Sequence, residues 1–364
     1  MNTEINKNIS YCKSIVKRLS LDLSGLTVVT ECASGNYAYT PIIASFAGAE
    51  KVYALGRDSK YGKYNDNKKF VCDLANYLEL DNIDIQEKAD FVSWGLADLI
   101  TNSGLIRPII RPVIEQLKET CVISLMWETW EFRNEDLDLK SCQKSGIVVI
   151  GTDEGYQKSD MYKYNGLMVL KILFELKAEV ANGKIAILGG GMTGRLIIDT
   201  FERLGIDYVW FTMSGEGSSE RCHSYNDFNK VISTEESIEA IIVAEHTNSI
   251  KLIGEEGLIS YNELKDKFEH ISIGHICGNI SQSEIIDSGI NYYPRDIAPF
   301  GYMSILPDTL SAYPVLLLNA AGLKAGEVVA NSRILGDSIE QSIEKAVKHG
   351  IGQDFAGGFM RCSV

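Results

Sequence analysis

The chain has 364 residues, of which 45% are hydrophobic and 23% charged, and its formal net charge is -14. This length accommodates two domains, and the acidic balance argues against nucleic acid or an anionic membrane surface as a partner. No apolar run approaches the roughly 20 residues that span a bilayer, and the first residues lack the apolar core of a signal peptide. The eight cysteines are scattered without a C-x-x-C pair, so we expect a cytoplasmic protein with reduced thiols and no metal site.

Strands and helices alternate along the first 150 residues. We predict strands at 26–30, 51–55, 90–93, 121–126 and 147–150, and helices at 39–46, 68–78 and 109–117. Such alternation favours a parallel sheet with helices on both faces. Because this half contains no G-x-G-x-x-G segment, we expect it to bind the substrate.

A long helix is predicted to connect the two halves and to run through residue 180, with Ser159 or Asp160 as its N-cap. Its stretch 166–174 is apolar nearly all round, which indicates burial. Further strands are predicted at 240–244, at 270–273 and near 315–318, and the tail from 325 to 349 is predicted to be a helix.

The most informative segment is 184–212, KIAILGGGMTGRLIIDTFERLGIDYVWFT. Its pattern predicts a strand, a glycine turn, an amphipathic helix that ends at Gly205, and a second strand. Gly189, Gly191 and Gly194 have G-x-G-x-x-G spacing, which is typical of a turn that lets the backbone approach a pyrophosphate. The helix that follows directs its free N–H groups toward the phosphates. We therefore predict a dinucleotide site, with Met192 and Thr193 also part of the turn.

The second strand ends at Thr212, where dinucleotide folds specific for NAD carry Asp or Glu. A carboxylate there would repel a 2′-phosphate, whereas a threonine would not. The loop beyond it supplies Ser214, Ser218, Ser219 and Arg221, whose hydroxyl and guanidinium groups suit a phosphate. Our hypothesis is that the cofactor is NADP, and NAD stays open.

The order of these parts resembles the formate/glycerate dehydrogenase-like superfamily, which includes D-2-hydroxyacid dehydrogenases, S-adenosylhomocysteine hydrolase and alanine dehydrogenase. The segment DLDLKSCQKSGIVVIGTDEG at 136–155 is similar to the last substrate-domain unit of that superfamily. The resemblance implies two doubly wound parallel-sheet α/β domains: a Rossmann cofactor domain, 159–324, inserted into a flavodoxin-like substrate domain, 1–158 with 325–364. It also implies an active site in the cleft between the domains, and a homodimer.

Two departures from D-2-hydroxyacid dehydrogenases bear on the catalytic groups. His275 stands near the place of their substrate-binding Arg, in the segment ISIGHICGN, and Asn319 lies where their catalytic His is found. Of five histidines, His275 and His246 follow predicted cofactor-domain strands, so either could be the acid or base of a hydride transfer. His246 is also a candidate for cofactor binding.

On the substrate side, polar clusters follow the predicted strands, and from them we select Arg57 and Glu128. Arg57 could clamp a carboxylate, and Glu128 lies between Trp127 and Trp130, which could wall a pocket. The predicted function is an NAD(P)-dependent oxidoreductase that acts on a small 2-oxo or 2-hydroxy acid, or on a related amino acid. The alternatives are an enzyme that holds and internally recycles NAD, as S-adenosylhomocysteine hydrolase does, and a dinucleotide-binding protein without catalysis.

Overall fold

The computed structural model describes residues 3–215 and 220–362, which form two compact units. Unit 1 consists of Met1–Met161 and Ala312–Val364, and unit 2 consists of Tyr162–Ser311. Within the described ranges, no helix has the length and apolar character needed to cross a membrane.

Short buried strands alternate with helices along both units. In chain order the strands are β1 (Thr27–Glu31), β2 (Lys51–Gly56), β3 (Ile83–Glu87), β4 (Leu99–Thr101), β5 (Val122–Ser124), β6 (Val148–Thr152), β7 (Lys184–Leu188), β8 (Asp207–Thr212), β9 (Cys222–Ser224), β10 (Ala240–Ala244), β11 (Lys251–Ile253), β12 (Ser272–Cys277), β13 (Asn279–Ile280), β14 (Asn291–Tyr293) and β15 (Gly352–Gln353). The helices are α1 (Thr3–Leu19), α2 (Thr40–Phe46), α3 (Tyr64–Tyr77), α4 (Arg111–Ile114), α5 (Leu139–Ser145), α6 (Tyr164–Leu176), α7 (Gly191–Leu204), α8 (Phe228–Thr234), α9 (Tyr261–Lys267), α10 (Gln282–Ser288), α11 (Tyr313–Ile334) and α12 (Ile339–His349).

The sheet of unit 1 has the order β3-β2-β1-β4-β5-β6-β15, and all neighbours are parallel except β6 and β15. The prediction of a doubly wound parallel sheet is confirmed. The predicted flavodoxin-like strand order of this domain is wrong, because the six parallel strands follow the 3-2-1-4-5-6 order and not the 2-1-3-4-5 order of flavodoxin. Both orders have the same alternation of strands and helices along the chain. The alternation therefore does not indicate on which side of β1 the later strands lie.

The sheet of unit 2 has the order β9-β8-β7-β10-β12-β14 and is parallel throughout, which is again 3-2-1-4-5-6 winding. Apolar layers cover both faces. One contains Ile172 and Phe201 from α6 and α7, and the other contains Phe228 and Leu264 from α8 and α9. The predicted Rossmann topology is therefore confirmed, and it places a change of winding direction between β7 and β10.

Several element predictions are confirmed, among them the strands at 184–188 and 240–244 and the helix ending at Gly205, whose φ is +70°. The predicted strand at 90–93 is wrong. The chain there follows a single turn of 3-10 helix, and the strands of this region are β3 and β4. The connecting helix begins at Tyr164, and neither Ser159 nor Asp160 caps it.

The strand expected near 315–318 is wrong, because that stretch belongs to the 22-residue helix α11. The predicted tail helix is therefore two helices, α11 and α12, and the capping box of Ser338 begins the second. Helix α11 is buried almost all round. Added Cβ atoms at Gly322 and Gly326 would lie 2.5 Å from Met126 and 2.2 Å from Leu99, so these glycines allow close packing on the sheet.

Candidate functional site

The glycine turn of unit 2 follows β7 directly and lies beside the end of β10. Gly189 has a φ of +155° and Gly191 a φ of +62°, and such conformations favour glycine. A Cβ added at Gly189 would lie 2.2 Å from the carbonyl oxygen of Ala244, and one at Gly194 would lie 2.4 Å from that of Gly189. Gly189 and Gly194 therefore allow close backbone contacts that a side chain would prevent.

Helix α7 begins at this turn, with Gly190 as its N-cap. Its first turn contains no acidic residue, and no side chain caps it. Met192 is exposed and Thr193 half-buried, so the N–H groups of the first turn lie at the surface of unit 2. This arrangement of uncapped amides and a positive helix end suits an anionic phosphate group.

The end of β8 lies against the same turn. The indole N–H of Trp210 donates to the carbonyl oxygen of Gly189 at 2.6 Å. Thr212 is buried, and its Cβ lies 3.6 Å from the point that a Cβ of Gly190 would occupy. The hydroxyl oxygen of Thr212 accepts a hydrogen bond from the N–H of Gly215 at 3.0 Å. The structure therefore brings Thr212 to the glycine turn, as the sequence predicts.

The other predicted phosphate ligands are separated from one another. Ser214 is exposed, two residues after Thr212, whereas Ser218 and Ser219 lie outside the described residues. Arg221 forms an ion pair with Asp207 at 3.1 Å and stacks on Tyr208, 5.1 Å from the ring centre. Asp207 begins β8 and Thr212 ends it, so roughly 17 Å of strand separates the Arg221 pair from the turn. This differs from the prediction because Arg221 finds a carboxylate at the amino end of the sheet.

His246 follows β10 and lies over the glycine turn. A Cβ at Gly191 would lie 2.9 Å from Cε1 of the His246 ring. The preceding residue, Glu245, is fully buried and fixes this loop. Its Oε1 accepts from the N–H and hydroxyl of Thr247 and from both N–H groups of Asn248, and its Oε2 accepts from the hydroxyl of Tyr225.

Glu245 is a site residue that the sequence analysis missed. Although burial opposes ionisation, the hydrogen bonds from Thr247, Tyr225 and Asn248 hold the pKa of its carboxyl below the usual value. An ionised carboxylate with five donors is a rigid anchor for the loop that carries His246. The only sequence signal was an acidic residue at the end of an otherwise apolar strand.

His275 lies within β12, fully buried. Its Nε2 is 3.2 Å from the carbonyl oxygen of Gly278 and therefore carries the proton, and its Nδ1 accepts from the hydroxyl of Ser304 at 2.6 Å. Burial lowers the pKa of this imidazole to about 4. The prediction that His275 follows a strand is thus wrong, because β12 continues two residues past it.

In unit 1, basic residues lie after neighbouring strands. Arg57 follows β2 and is exposed, and its Nη2 donates to the carbonyl oxygens of Gly104 and Arg107 at 3.3 and 3.1 Å. Lys88 follows β3 and donates to the carbonyl oxygen of Arg107 at 3.1 Å. Burial and the neighbouring Arg57 lower the pKa of Lys88 to about 8. Arg57 and Lys88 thus lie together at this edge, and the sequence analysis did not select Lys88.

Glu128 is buried after β5, and its Oε2 accepts from the indole N–H of Trp130 at 2.6 Å. Burial and the charge of Glu128 raise the pKa of nearby Glu131 to about 7, and burial with Glu131 and Glu128 raises that of Glu154 to about 8. Glu128 therefore lies in an acidic group with Glu131 and Glu154.

No protein-family model matches the chain, and no curated protein matches its sequence significantly. Among solved structures, the chain is similar to a dipicolinate synthase component from Bacillus halodurans. The identity is 13%, over 82% of this chain and 96% of that chain, and the TM-score is 0.51. This likeness confirms the predicted two-domain α/β architecture, and at such identity it shows the fold alone.

Two dehydrogenase structures are also similar over most of their length. One is a D-isomer specific 2-hydroxyacid dehydrogenase from Lactobacillus delbrueckii ssp. bulgaricus with NAD bound (11% identity, 85% of this chain, 98% of that chain, TM-score 0.44). The other is an NADPH-dependent glyoxylate/hydroxypyruvate reductase from Sinorhizobium meliloti (11% identity, 85% of this chain, 95% of that chain, TM-score 0.41). With TM-scores below 0.5, neither adds to the fold assignment.

Proposed function

We propose that the protein is a nicotinamide-dependent oxidoreductase that acts on a small 2-oxo or 2-hydroxy acid, or on a related amino acid. The observation that carries this proposal is the glycine turn between β7 and α7, where Cβ atoms at Gly189 and Gly194 would lie 2.2 and 2.4 Å from backbone oxygens. The turn lies where the winding of a doubly wound sheet reverses, which is the usual nucleotide position in such sheets.

The residues of unit 2 fit a dinucleotide. The N–H groups at the start of α7 would bind the pyrophosphate, and His246, which lies over Gly191, would contact the same group. Thr212 lies where the adenine ribose binds in related folds, and it leaves that place without a negative charge. When bound, the nicotinamide would supply or accept a hydride.

The choice between NAD and NADP depends on the surroundings of Thr212. A neutral side chain there permits a 2′-phosphate, and the exposed hydroxyl of Ser214 is free to approach one. Arg221 pairs with Asp207 and not with the loop after Thr212. The cation that the sequence analysis considered for the 2′-phosphate therefore lies elsewhere. We therefore propose that both dinucleotides bind, with any preference for NADP carried by Thr212 and Ser214.

Unit 1 supports an acid as substrate. Arg57 and Lys88 lie together after the strands of a sheet, where both donate to the backbone carbonyl oxygen of Arg107, in a chain whose net charge is -14. A local positive group on an acidic protein attracts anions and disfavours cations as ligands. The two candidate histidines, His275 and His246, have other tasks in this proposal, because His275 is buried with both ring nitrogens bonded and His246 lies over the turn.

The test is a steady-state assay of the full chain that follows the absorbance of the reduced nicotinamide. Glyoxylate, pyruvate, oxaloacetate and 2-oxoglutarate are offered with NADH or NADPH, and the matching hydroxy and amino acids with NAD or NADP. Turnover of at least one acid that is lost in Gly194→Ala is the expected result. Binding of a dinucleotide without turnover of any member of the panel would contradict the oxidoreductase proposal.

A further inference from the structure

The carboxyl ends of β1 and β4 in unit 1 hold a second group of polar side chains, which we name the Glu31–Arg107 site. It consists of Glu31, Arg107 and Trp127, with Arg57 and Lys88 at its border. Strands β1 and β4 are neighbours in the sheet although β2 and β3 come between them in the chain. The winding therefore reverses at this point, where doubly wound sheets bind ligands.

Glu31 ends β1 and is 4% exposed. Its Oε2 accepts a hydrogen bond from the N–H of Leu105 at 3.0 Å, whereas no described residue donates to its Oε1. Among titratable groups, Arg107 from the loop after β4 acts on it and favours its ionised form. Burial dominates and raises the pKa of Glu31 to about 7, so this carboxyl exchanges its proton near neutral pH.

Arg107 is held in place but keeps donors to spare. Its Nη1 pairs with Asp136 at 2.6 Å, and its guanidinium lies over the ring of Trp127, 4.5 Å from the centre. Its Nε has no hydrogen-bond partner among the described residues. A guanidinium fixed by stacking and by one carboxylate is well placed to bind a second carboxylate.

Glu31 and Arg107 face the same small space beside Gly104. A Cβ added at Gly104, which is exposed, would lie 3.8 Å from Oε2 of Glu31 and 3.9 Å from Nη2 of Arg107. Apart from the chain neighbours of Gly104, no other atom of the described residues lies within 4 Å of that point. Oε2 of Glu31 and Nη2 of Arg107 therefore both lie beside this exposed glycine, and no other side chain of the described residues reaches that point.

Unpaired polar atoms mark the same edge. Among the buried side-chain atoms that lack a partner in the described part of the chain are Oδ1 of Asn102, Nε of Arg107 and Nε1 of Trp127. Asn102 is 1% exposed and directly follows β4. Buried polar atoms are nearly always paired in folded proteins, so three unpaired ones at a winding reversal indicate a place for a polar ligand.

We propose that the Glu31–Arg107 site binds the carboxylate of a small organic acid, with Arg107 as the clamp and protonated Glu31 as a hydrogen-bond donor to the bound anion. Taking this acid to be the substrate rests on the proposed function, but the binding itself does not need the dinucleotide. Arg57 and Lys88 supply positive potential at the border and draw the anion to the site.

Proton uptake on binding provides a specific test. At about pH 8 a carboxyl with a pKa of about 7 is roughly 90% ionised, and an anion bound beside it raises that pKa, so a proton is taken up. We would titrate the full chain calorimetrically with glyoxylate, pyruvate, oxaloacetate and 2-oxoglutarate in two buffers of different ionisation enthalpy. The expected result is binding of at least one acid with uptake of nearly one proton per acid.

Variants assign the effect to the two residues. Glu31→Gln should still bind the acid but with much less proton uptake than the parent, and the remaining uptake belongs to Lys88, whose pKa of about 8 the bound anion also raises. Arg107→Lys, which retains the charge near Asp136, should bind the acid at least tenfold more weakly. Arg111→Ala is the matched control, because this exposed arginine of the same unit pairs with Glu115 and lies outside the site. Each variant is first checked for the thermal unfolding transition of the parent.

The outcomes separate this inference from the proposed function. If no acid of the panel binds, or if proton uptake is as large in Glu31→Gln as in the parent, the Glu31–Arg107 site is refuted even where a dinucleotide binds to unit 2. If an acid binds as expected and no dinucleotide binds, the site stands and the oxidoreductase proposal fails.

Discussion

Replacement of His275 by glutamine distinguishes a structural histidine from a catalytic one. Glutamine retains a donor toward the carbonyl oxygen of Gly278, but it cannot take up a proton. In the parent, burial lowers the pKa of His275 from 6.5 to about 4. The unfolded chain therefore binds this proton more tightly than the folded chain, and the contribution of His275 to stability is lost as the pH falls from about 6.5 to about 4.

The size of the effect follows from the pKa difference of about 2.5 units, at about 1.4 kcal/mol per unit. The full loss is about 3 kcal/mol below pH 4, and about 1.3 kcal/mol of it falls between about pH 7.5 and about pH 5.5. Burial raises the pKa of Glu31 to about 7 and that of Glu154 to about 8. These carboxyls act in the opposite direction, since their contribution favours the folded state at low pH, so the histidine must be isolated by comparison with the variant.

The assay is equilibrium unfolding in urea at several pH values, for the parent, for His275→Gln and for His270→Gln, an exposed control in the same unit. The free-energy difference between parent and His275→Gln should change by about 1.3 kcal/mol between about pH 7.5 and about pH 5.5, in favour of the variant at the lower pH. Equal pH dependence of parent and variant would refute the buried neutral histidine. Dinucleotide binding by the variant should match that of the parent.

Three further substitutions test the glycine turn and its surroundings. Gly194→Ala places a methyl group 2.4 Å from a backbone oxygen, so we expect a loss of about 1–3 kcal/mol of stability and at least tenfold weaker dinucleotide binding by calorimetry. Arg203→Ala, at the other end of α7, is the control and should leave binding unchanged. Equal dinucleotide binding by the two variants would contradict the close approach of the dinucleotide to the turn. Thr212→Asp should weaken the binding of NADPH at least tenfold more than that of NADH through repulsion of the 2′-phosphate, whereas Arg221→Ala should leave the ratio of the two affinities unchanged. If Arg221→Ala changed this ratio and Thr212→Asp did not, Arg221 would be the phosphate ligand. Glu245→Gln should lower the free energy of unfolding by about 1–3 kcal/mol and weaken dinucleotide binding, because the NH2 group of glutamine would face hydrogen-bond donors that now point at a carboxylate. Urea unfolding like that of the parent would argue against an anchored loop.

The cofactor half could be predicted well from its residues because local chemistry dictates it. The backbone conformations of Gly189 and Gly191 favour glycine, and the apolar stripe of α7 specifies which face packs on the sheet. The strands at 184–188 and 240–244 are continuous apolar runs, as buried parallel strands require. The glycines, the stripe and the flanking strands of the turn lie within about thirty residues of each other, so spacing alone reveals them.

The substrate half was harder to predict because its elements are short and its contacts distant in sequence. Strand β3 is only half-buried, so its alternating sequence gives little apolar signal, and β4 has three residues. The stretch 315–318 is apolar enough for a strand, but it lies in a helix that is buried on nearly every side. In both cases the tertiary environment, not local propensity, decides the structure.

The roles of individual site residues were the hardest to predict, because they depend on tertiary contacts. Arg107 gained its place through Asp136 and Trp127, which lie 20 and more residues away along the chain and share no motif with it. Arg221 and His275 were selected for their position near a strand end, but the partner of each, Asp207 and Ser304, directs it elsewhere. A sequence indicates which residue types follow a strand, whereas their partners are set by the fold.

The central claim is that the glycine turn of unit 2 binds a nicotinamide dinucleotide. The most direct test is calorimetric titration of the cofactor-stripped full chain with NAD, NADH, NADP and NADPH, with Gly194→Ala beside it. We expect binding of at least one oxidised and reduced pair at one molecule per chain, and a loss of at least tenfold in affinity in the variant. Absence of binding for all four dinucleotides would contradict it and would leave the turn as a structural element only.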